Sequence, residues 1–542
     1  MKKISWVYFA LLFVLGLFAG TRIPQRKGVM HEPQKGINLH ILQTQSRMDG
    51  ILDLVEQNYV DTFSFFNLEN AAITGMLEQL DPHSVYIPAS EASMANEDIN
   101  GDFDGIGVQF RVLHDTVLVI MPVAGGPSEK VGIKQGDRII SAEDIRGDGS
   151  VVILSGKNLS TEKIMRTLRG PRGSVVRLGI LPYNSTHIRY VDVVRNVIPT
   201  YSVDASFMLD ESVAKDIGYI KLSKFNQTTS REVAVALSSL QNQGMRGLVL
   251  DLRGNGGGLL SECLVLCDMF LPRNSLVLYT HGLRRPKTEI RASGGGKYQK
   301  LPLVVLIDQF SASASEIFAG AMQDNDRAVI VGRRTFGKGL VQEQMNLRDG
   351  SILRLTVAKY YTPSGRSIQK PYRGAKYEED LLERYTDGEL FGTDTTSHTD
   401  TVKYYTIKGR VVYGGGGIEP DINVPYTIDT LYTCVNRLSN SGVLYDYAFS
   451  YVAQNRSMLG TEYPTLDKFK KNFVVTDVMV QKIVAQGKQK GIKSDSACLQ
   501  YHSHRLKTLV KATIARDLYD DKGFYSIYST IDDDILKAIN NF

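Results

Sequence analysis

Two kinds of hydrophobic pattern alternate along the middle of the chain. Mostly apolar runs at 217–222, 247–252 and 303–307 have the length of buried strands. Between them, the spacing of apolar residues predicts one helix over 229–241 and another that ends at Phe270. Strands that alternate with helices in this way are typical of an α/β core.

A helical part and a β-rich part precede this core. Over 36–80, apolar residues recur every three or four positions, and Asp81-Pro82 then ends the helical pattern. Residues 87–182 contain short apolar runs separated by turn residues, with one helix predicted at 160–168. This change of pattern indicates a separate small β-domain.

The chain from residue 351 onward is predicted to contain a strand, an insertion and a helical segment. An alternating apolar and polar stretch at 351–362 predicts a strand. Residues 377–404 are charged and rich in Ser, Thr and Asp, so we expect a surface insertion there. The segment 432–542 has a mostly helical pattern, and its lysine-rich clusters are typical of solvated helix faces.

The stretch after the apolar run at 303–307 carries the candidate chemistry. Serines at positions 311, 313 and 315 lie at a predicted strand-to-helix turn, where backbone N–H groups can stabilise an oxyanion. Lys338 follows between two glycines, and burial can lower the pKa of a lysine until it acts as a base. No histidine lies between His281 and His398, which favours a Ser-Lys pair in this stretch. Helix capping is the alternative role for serines in such a turn.

Two stretches, SASASEIFAGAMQDN and RTFGKGLVQ, resemble the signature of the carboxyl-terminal processing (tail-specific) serine proteases. The resemblance implies that Ser313 is the nucleophile, that Lys338 is its general base, and that Gln342 orients the lysine. It also implies a protease core related to the crotonase and Clp-type folds, with an inserted PDZ domain. Asp324 matches a further position of the motif, and we interpret it as a structural residue.

A glycine-rich loop, RGNGGG, connects the run at 247–252 to the next predicted helix. It lacks the lysine and hydroxyl residue of a P-loop, so nucleotide binding is disfavoured. The loop resembles the DLRGN-x-GG segment of the same protease family, whose backbone approaches the scissile carbonyl. We therefore expect the N–H groups of Gly257 and Ala314 to form an oxyanion hole.

The β-rich part contains the segments GIGV and QGDRII, which resemble the PDZ domain of this protease family. A PDZ domain binds a peptide as an added β-strand and holds its terminal carboxylate on loop N–H groups. The expected carboxylate-binding loop is Gly105, Ile106, Gly107 and Val108. A structural β-domain without a ligand is the alternative.

The patterns and the resemblance together predict an α/β multidomain protein, as expected for 542 residues. The expected parts are a signal peptide or membrane anchor at 1–22, a helical segment at 23–86, a PDZ domain at 87–186, a protease core at 187–428 with an insertion near 377–404, and a helical C-terminal extension at 429–542.

The N-terminus combines Lys2 and Lys3 with an apolar run at 4–19. This pattern predicts export, with either a cleaved signal peptide or a retained inner-membrane anchor. The remainder would then lie outside the cytoplasm, in the periplasm or elsewhere in the cell envelope. Four cysteines are too few for a disulfide framework, and the sequence leaves open whether Cys434 and Cys498 pair.

Composition and motifs indicate which classes of partner and cofactor to expect. A net charge of +5 without basic segments interleaved with aromatic residues does not indicate nucleic-acid binding. No HExxH or Walker motif is present, so neither a metal nor a nucleotide cofactor is expected. The expected partners are protein or peptide substrates, bound through their C-terminal tails. A regulatory partner and a homo-oligomer are left open.

These inferences favour one function over two alternatives. The expected function is a serine endopeptidase that recognises C-terminal tails through its PDZ domain and cleaves with a Ser-Lys dyad through an acyl-enzyme. The alternatives are a catalytically silent PDZ scaffold of the cell envelope and a crotonase-type acyl-transfer enzyme. The joint presence of Ser313, Lys338 and Gln342 favours the peptidase.

Overall fold

The computed structural model describes most of the chain. The described residues are 47–113, 115–145, 149–183, 185–372, 376–393, 402–426, 434–493 and 496–542. The predicted signal peptide or anchor at 1–22 lies outside them, as does the 394–401 part of the predicted insertion. In these ranges, no helix combines the length and the apolar character needed to cross a bilayer. The chain divides into two compact units, Met1–Ala72 and Ile73–Phe542.

The first described elements are two helices, α1 Arg47–Asn58 and α2 Phe65–Glu78. The periodicity over 36–80 predicts helix throughout, but the structure leaves 59–64 non-helical. That segment contains Val, Asp and Thr, which are weak helix formers. The hydroxyl of Ser64 then accepts a hydrogen bond from the N–H of Asn67 at 3.3 Å, which caps the start of α2.

A small antiparallel β-domain follows. Its elements and those that flank it are β1 Val85–Ile87, α3 Ala89–Asn100, β2 Asp102–Gly105, β3 Val108–Leu113, β4 Thr116–Pro122, α4 Pro127–Lys130, β5 Arg138–Asp144, β6 Val151–Ile153, α5 Thr161–Leu168, β7 Val175–Leu181, β8 Arg189–Val194 and β9 Asn196–Pro199. The main sheet has the order β3-β4-β5-β7-β8, with β6 on β5, and β2 pairs with β9. The inward side chains of Val119, Ile139 and Leu178 form its core with Ile164 of α5.

The next region builds a parallel sheet. Its elements are β10 Val203–Met208, β11 Ile217–Leu222, α6 Thr229–Asn242, β12 Gly247–Asp251, α7 Leu260–Phe270, β13 Leu276–Gly282, β14 Arg285–Arg291, β15 Leu303–Ile307, α8 Ala314–Asp324, β16 Val329–Gly332, β17 Leu340–Asn346 and β18 Ile352–Tyr361. The sheet order is β10-β11-β12-β15-β16-β21, where β21 is the later strand Ile422–Asn423, and only β10 is antiparallel to its neighbour. Every residue of β11, β12 and β15 is buried, as their mostly apolar runs predict, and the two charged members, Lys221 and Asp251, form a buried ion pair.

A second sheet lies beside the first and completes the region. It has the order β1-β18-β13-β14, with β17 on β18. The elements after it are α9 Lys376–Thr386, a 3₁₀ turn Glu389–Phe391, β19 Tyr404–Tyr405, β20 Val411–Val412 and β21 Ile422–Asn423. The surface location predicted from the composition of 377–404 is wrong for Tyr377, Arg384 and Leu390, which are buried.

The C-terminal region is helical. Its elements are α10 Cys434–Asn440, α11 Val443–Glu462, α12 Leu466–Asn472, α13 Asp477–Gln489, α14 Ser496–Tyr501, α15 Ser503–Tyr528, α16 Asp533–Ala538 and a 3₁₀ turn Ile539–Asn541. Non-helical backbone at Tyr519 and Asp520 kinks α15. A disulfide joins Cys434 to Cys498, which settles the pairing that the sequence leaves open.

Helices cover both faces of the parallel sheet. Residues of α6, α7 and α8 pack on one face, where Leu237, Leu266 and Phe318 are completely buried. On the opposite face, Ile535 and Ala538 of α16 join the core formed by the sheet. The C-terminal region therefore supplies part of the cover that a sheet buried on both faces requires. This arrangement is a mixed α/β fold with a helical C-terminal region.

Candidate active site

Ser313 lies at the turn between β15 and α8, beyond the carboxyl end of a central strand. Its backbone has φ 55° and ψ −112°, a combination that is rare for a residue with a side chain. The Asp308 carboxylate fixes the turn by accepting hydrogen bonds from the N–H groups of Phe310 and Ser311, both at 3.1 Å. Strained strand-to-helix turns of this kind present the nucleophile of α/β hydrolases, so the geometry suits Ser313 for that role.

Glu316, in the first turn of α8, connects Ser313 to the segment that carries Lys338. Its Oε2 accepts hydrogen bonds from the N–H of Ser313 at 2.8 Å and from the N–H of Lys338 at 2.9 Å. Its Oε1 accepts from the N–H of Gly337 at 2.7 Å and from the hydroxyl of Thr335 at 2.6 Å. One buried carboxylate therefore holds the two predicted catalytic residues together through their backbones.

The environment of Glu316 opposes its own ionisation. Complete burial raises the pKa of Glu316 to about 7, although hydrogen bonds from Thr335, Lys338, Gly337 and Ser313 act in the opposite direction. All four partners are donors in this arrangement, and only a carboxylate can accept from all of them at once. The geometry therefore belongs to the ionised form.

Tyr360 of β18 makes a second connection between the same two segments. Its hydroxyl donates to the carbonyl oxygen of Lys338 at 2.8 Å and lies 3.3 Å from the carbonyl oxygen of Ser313. Burial, and then the charge of Glu316, raise the pKa of Tyr360 well above its ordinary value. The phenol therefore remains protonated and available as a donor.

The amine of Lys338 lies in a partly buried position next to Gln342. Its Nζ donates to Gln342 Oε1 at 3.0 Å. Burial lowers the pKa of Lys338, while the charges of Glu316 and Asp81 oppose that shift and Arg354 adds to it. In the described part of the chain, no hydrogen bond joins Ser313 Oγ to Lys338 Nζ. The structure thus brings Lys338 and Gln342 into direct contact, and Ser313 into their vicinity.

The turn that ends α2 supports Gln342 from the other side. Gln342 Nε2 donates to the carbonyl oxygen of His83. Asp81 Oδ1 in turn accepts from the N–H of His83 at 2.8 Å and from the hydroxyl of Thr356 at 3.0 Å. The Asp-Pro-His-Ser turn is therefore fastened to β18, where Thr356 pairs with Gln342 across the strands.

The glycine loop packs directly against Ser313. Gly257 has φ 99°, and a Cβ added there would lie 2.8 Å from Ser313 Cβ. The N–H of Gly257, however, donates to Asn255 Oδ1 at 2.9 Å. Ala314 is the first residue of α8, and its N–H has no partner among the described residues. The structure thus places both predicted oxyanion donors beside the serine, and one of them is already hydrogen-bonded.

The β-domain contains a groove of about 330 Å³ between β3 and α5. Ile106, Gly107 and Val108 of the predicted GIGV segment line it. Gly105 closes β2, Val108 opens β3, and Gly107 has φ 69°. β3 is an edge strand of its sheet. The groove lining is mostly apolar and includes Ile106 and Met165. An edge strand beside an apolar groove is the arrangement that accepts an added peptide strand.

Sequence reasoning missed Glu316 and Tyr360 as parts of this site. The spacing Ser313-x-x-Glu316 is a capping-box pattern, and this signal could have assigned Glu316 to the N–H of Ser313. Nothing in the local pattern around Tyr360 distinguishes it from other aromatic residues of a strand. Asp324 accepts from Arg366 at 2.8 Å and from the N–H of Ser364 at 3.0 Å, and these bonds fit a structural role.

Comparison with known proteins identifies relatives of this chain. The model of peptidase family S41 matches residues 216–378, and a family of unknown function (DUF8443) matches residues 434–520. A carboxy-terminal-processing protease of Bartonella bacilliformis is 35% identical over 328 residues, which are 60% of this chain and 72% of the relative. A carboxyl-terminal-processing protease of Synechocystis sp. is 35% identical over 339 residues, which are 58% of this chain and 76% of the relative.

A solved structure of a photosystem II D1 C-terminal processing protease is 27% identical, with a TM-score of 0.36. The alignment covers 69% of this chain and 92% of that protein. The family match covers the segment that contains Ser313 and Lys338. The chain is a serine-type peptidase that acts on protein or peptide substrates, and it belongs to peptidase family S41, the carboxy-terminal processing proteases.

Proposed function

We propose that this peptidase is an endopeptidase in which Ser313 is the nucleophile and Lys338 the general base. The observation that carries the proposal is the shared Glu316 Oε2, which accepts from the backbone N–H of both residues. Burial lowers the pKa of Lys338, which favours the neutral amine that a general base requires. Gln342 holds that amine through its side-chain oxygen.

The reaction has two stages. Lys338 Nζ takes the hydroxyl proton of Ser313 as Oγ attacks the peptide carbonyl carbon, and the carbonyl oxygen becomes an oxyanion. The oxyanion collapses, the C–N bond breaks, and the lysine ammonium gives its proton to the leaving amine. A water molecule then loses a proton to Lys338 and attacks the ester. Collapse of the second oxyanion releases a carboxylic acid and returns the proton to Ser313.

We infer that the site is in a resting arrangement. Ser313 Oγ and Lys338 Nζ are not hydrogen-bonded in the described chain, and Asn255 occupies the N–H of Gly257. Catalytic hydrogen bonds often shorten only when substrate binds. We infer that substrate binding releases the N–H of Gly257, which then joins the N–H of Ala314 as an oxyanion donor worth roughly 3 kcal/mol in the transition state.

The groove between β3 and α5 supports recognition of a C-terminal tail, in the manner of a PDZ domain within a crotonase-type or Clp-type protease architecture. A substrate tail would extend the sheet along the edge strand β3 and place apolar side chains among Ile106, Val108 and Met165. The GIGV segment would receive the terminal carboxylate. Arg169 lines the same groove and is ion-paired with Glu97 of α3. Binding of a regulatory partner and formation of a homo-oligomer are still open.

The disulfide between Cys434 and Cys498 supports a location outside the cytoplasm, because disulfides persist in oxidising compartments. We therefore propose that the protein acts in the cell envelope. If the N-terminal segment is cleaved, the protein is periplasmic; if the segment is retained, it anchors the protein in the inner membrane. Mass determination of the protein purified from the envelope fraction distinguishes these two forms.

The experiment that tests the proposed activity uses peptides that differ only in their C-terminal tails. Purified protein should cleave a fluorogenic peptide with an apolar tail, and Ser313→Ala and Lys338→Ala should each lower kcat/KM by about 1,000-fold or more. Lys359→Ala is the matched control, because Lys359 is an exposed lysine on β18. Full activity of either dyad variant contradicts the proposal. Tail binding without any cleavage by the wild type favours the scaffold alternative.

A further inference from the structure

Helix α9, in the segment that composition assigns to the surface, reaches the base of the candidate active site. The hydroxyl of Tyr377, near the start of α9, lies 2.6 Å from Nε2 of His83. The two rings also meet edge to face, with centroids 5.5 Å apart. Phe336, two residues before Lys338, meets the Tyr377 ring in the same way at 5.8 Å.

Lys370 fastens this helix to the segment that carries the base. Its Nζ lies 3.9 Å from the ring centroid of Phe336 and 4.3 Å from that of Tyr377. The same amine donates to the carbonyl oxygen of Tyr377 and to Asp380 Oδ2, both at 3.2 Å. The N–H of Lys370 donates to the carbonyl oxygen of Gly337 at 3.0 Å. Helix α9 is thus attached directly beside Lys338.

Tyr377 is linked to Lys338 through His83 and Gln342. The Tyr377 hydroxyl binds the imidazole of His83, and the carbonyl oxygen of His83 accepts from Gln342 Nε2. Gln342 Oε1, the other end of the same amide, accepts from Lys338 Nζ at 3.0 Å. The carbonyl oxygen of His83 can only accept, so the NH₂ group of Gln342 must face it. The amide oxygen of Gln342 is therefore directed at the amine of Lys338.

We propose that Tyr377 is a positioning residue for the general base, acting through His83 and Gln342 on Lys338. The inference rests on the proposed Ser-Lys mechanism and extends it to helix α9, which follows the two motif stretches that carry Ser313 and Lys338. Tyr377 does not touch the reacting atoms. It holds the His83 turn against Gln342, and it helps to keep water away from the amine.

The groups that face Lys338 decide how its protonation responds to this contact. Glu316 and Asp81 favour the ammonium form, whereas burial and the charge of Arg354 disfavour it. The imidazole stays neutral near pH 7, because burial and the charge of Lys338 lower the pKa of His83 to about 4. Loss of the Tyr377 contact should admit water, and the pKa of Lys338 would then move up towards its ordinary value.

The test is Tyr377→Phe in the full-length protein, which removes the hydroxyl and keeps the ring on Phe336 and His83. Tyr385→Phe is the matched control: it makes the same change on the same helix, where the Tyr385 ring contacts Phe391 instead. At pH 7, Tyr377→Phe should lower kcat about tenfold with little change in KM. The acid limb of its pH–rate profile should move to higher pH, because the base must lose its proton before it can act.

The outcomes separate this inference from the proposed mechanism. If wild type cleaves, Lys338→Ala does not, and Tyr377→Phe matches Tyr385→Phe in both kcat and pH profile, the positioning role is wrong and the dyad stands. If Lys338→Ala retains full activity, the dyad itself is wrong. A lower melting temperature with an unshifted pH profile would show that Tyr377 only stabilises the fold, and would overturn the inference.

Discussion

The carboxylate of Asp534 holds the guanidinium of Arg333 with both of its oxygens, at 3.0 and 2.8 Å. Asp534 Oδ2 also accepts from Arg253 Nη1 at 2.7 Å, and Asp532 binds both terminal nitrogens of Arg253 at 2.9 Å. Arg253 belongs to the glycine loop, and Arg333 precedes Lys338 in the same connecting segment. The C-terminal region therefore fixes both segments that carry the proposed catalytic groups.

This relationship predicts a strong effect of Asp534→Asn. The substitution removes a buried charge from between two arginines, so the free energy of unfolding should fall by about 4 kcal/mol. Asp533→Asn is the control, because Asp533 lies between the two buried aspartates in sequence but its side chain is 53% exposed. Chemical denaturation measures both variants. Equal stabilities for the two variants would show that the buried ion pairs do not hold the C-terminal region in place.

A second prediction concerns Glu316→Gln. Glutamine has one acceptor oxygen where the carboxylate has two, and its amide N–H groups would face the donors of Ser313, Lys338, Gly337 or Thr335. We expect the free energy of unfolding to fall by about 3 kcal/mol. The activation free energy of peptide cleavage should rise by at least the same amount, about 3 kcal/mol. A variant with wild-type kcat would contradict the role assigned to the shared carboxylate.

The same variant has a defined pH signature. The pKa of Glu316 rises from 4.5 to about 7 on folding, so the folded state binds the proton more tightly. The contribution of this group to stability is therefore full below about pH 4.5 and is lost as the pH rises through 7. The stability of wild type minus that of Glu316→Gln should decline over this window. A difference that stays constant from pH 4.5 to 8 would show that the pKa of Glu316 is not raised.

The glycine loop provides a third prediction with a built-in control. In Gly257→Ala, the new Cβ would lie 2.8 Å from both the Ala312 carbonyl oxygen and Ser313 Cβ, at a positive φ. In Gly256→Ala, the new Cβ would have no heavy atom within 4 Å. We expect Gly257→Ala to lower kcat by about 100-fold or more, and Gly256→Ala to cleave like the wild type. Similar activities for the two variants would remove Gly257 from the site.

Tail recognition predicts a specific effect of Arg169→Ala. The Arg169 guanidinium lies 4.4 Å from the ring centroid of Phe103 in the groove lining, and it is ion-paired with Glu97. Its loss should raise KM about tenfold for a tailed substrate and leave an untailed peptide unaffected. Arg172→Ala is the control, since Arg172 is 61% exposed and pairs with Asp104 at 3.4 Å. If both substrates respond equally to Arg169→Ala, the groove does not bind tails.

Much of the fold could be predicted because it depends on short stretches of sequence. The runs that form β11, β12 and β15 are almost entirely apolar, since both faces of their sheet are covered, and their two charged residues, Lys221 and Asp251, pair with each other. The Ser160 cap of α5 was equally visible, and its hydroxyl accepts from the N–H of Lys163 at 3.2 Å. The pairing of Lys338 with Gln342 is expected from the resemblance to the protease family, and their side chains are hydrogen-bonded.

The remainder depends on contacts between residues that are far apart in sequence. His83 and Tyr377 are 294 positions apart, and Arg333 and Asp534 are 201 positions apart. Composition assigns the segment of Tyr377 to the surface because its polar residues outnumber the few that are buried. The pattern of Glu316 suggests helix capping, and only the fold shows that the same carboxylate also holds the Lys338 segment.

The central claim is that the amine of Lys338 activates the hydroxyl of Ser313. A fluorophosphonate probe reacts with an activated serine, and mass spectrometry of the digested protein locates the modified residue. We predict labelling of wild type and Lys359→Ala on Ser313, and at least 100-fold slower labelling of Lys338→Ala. Labelling of Ser313 at an undiminished rate in Lys338→Ala, or labelling of a different serine in wild type, would contradict the account.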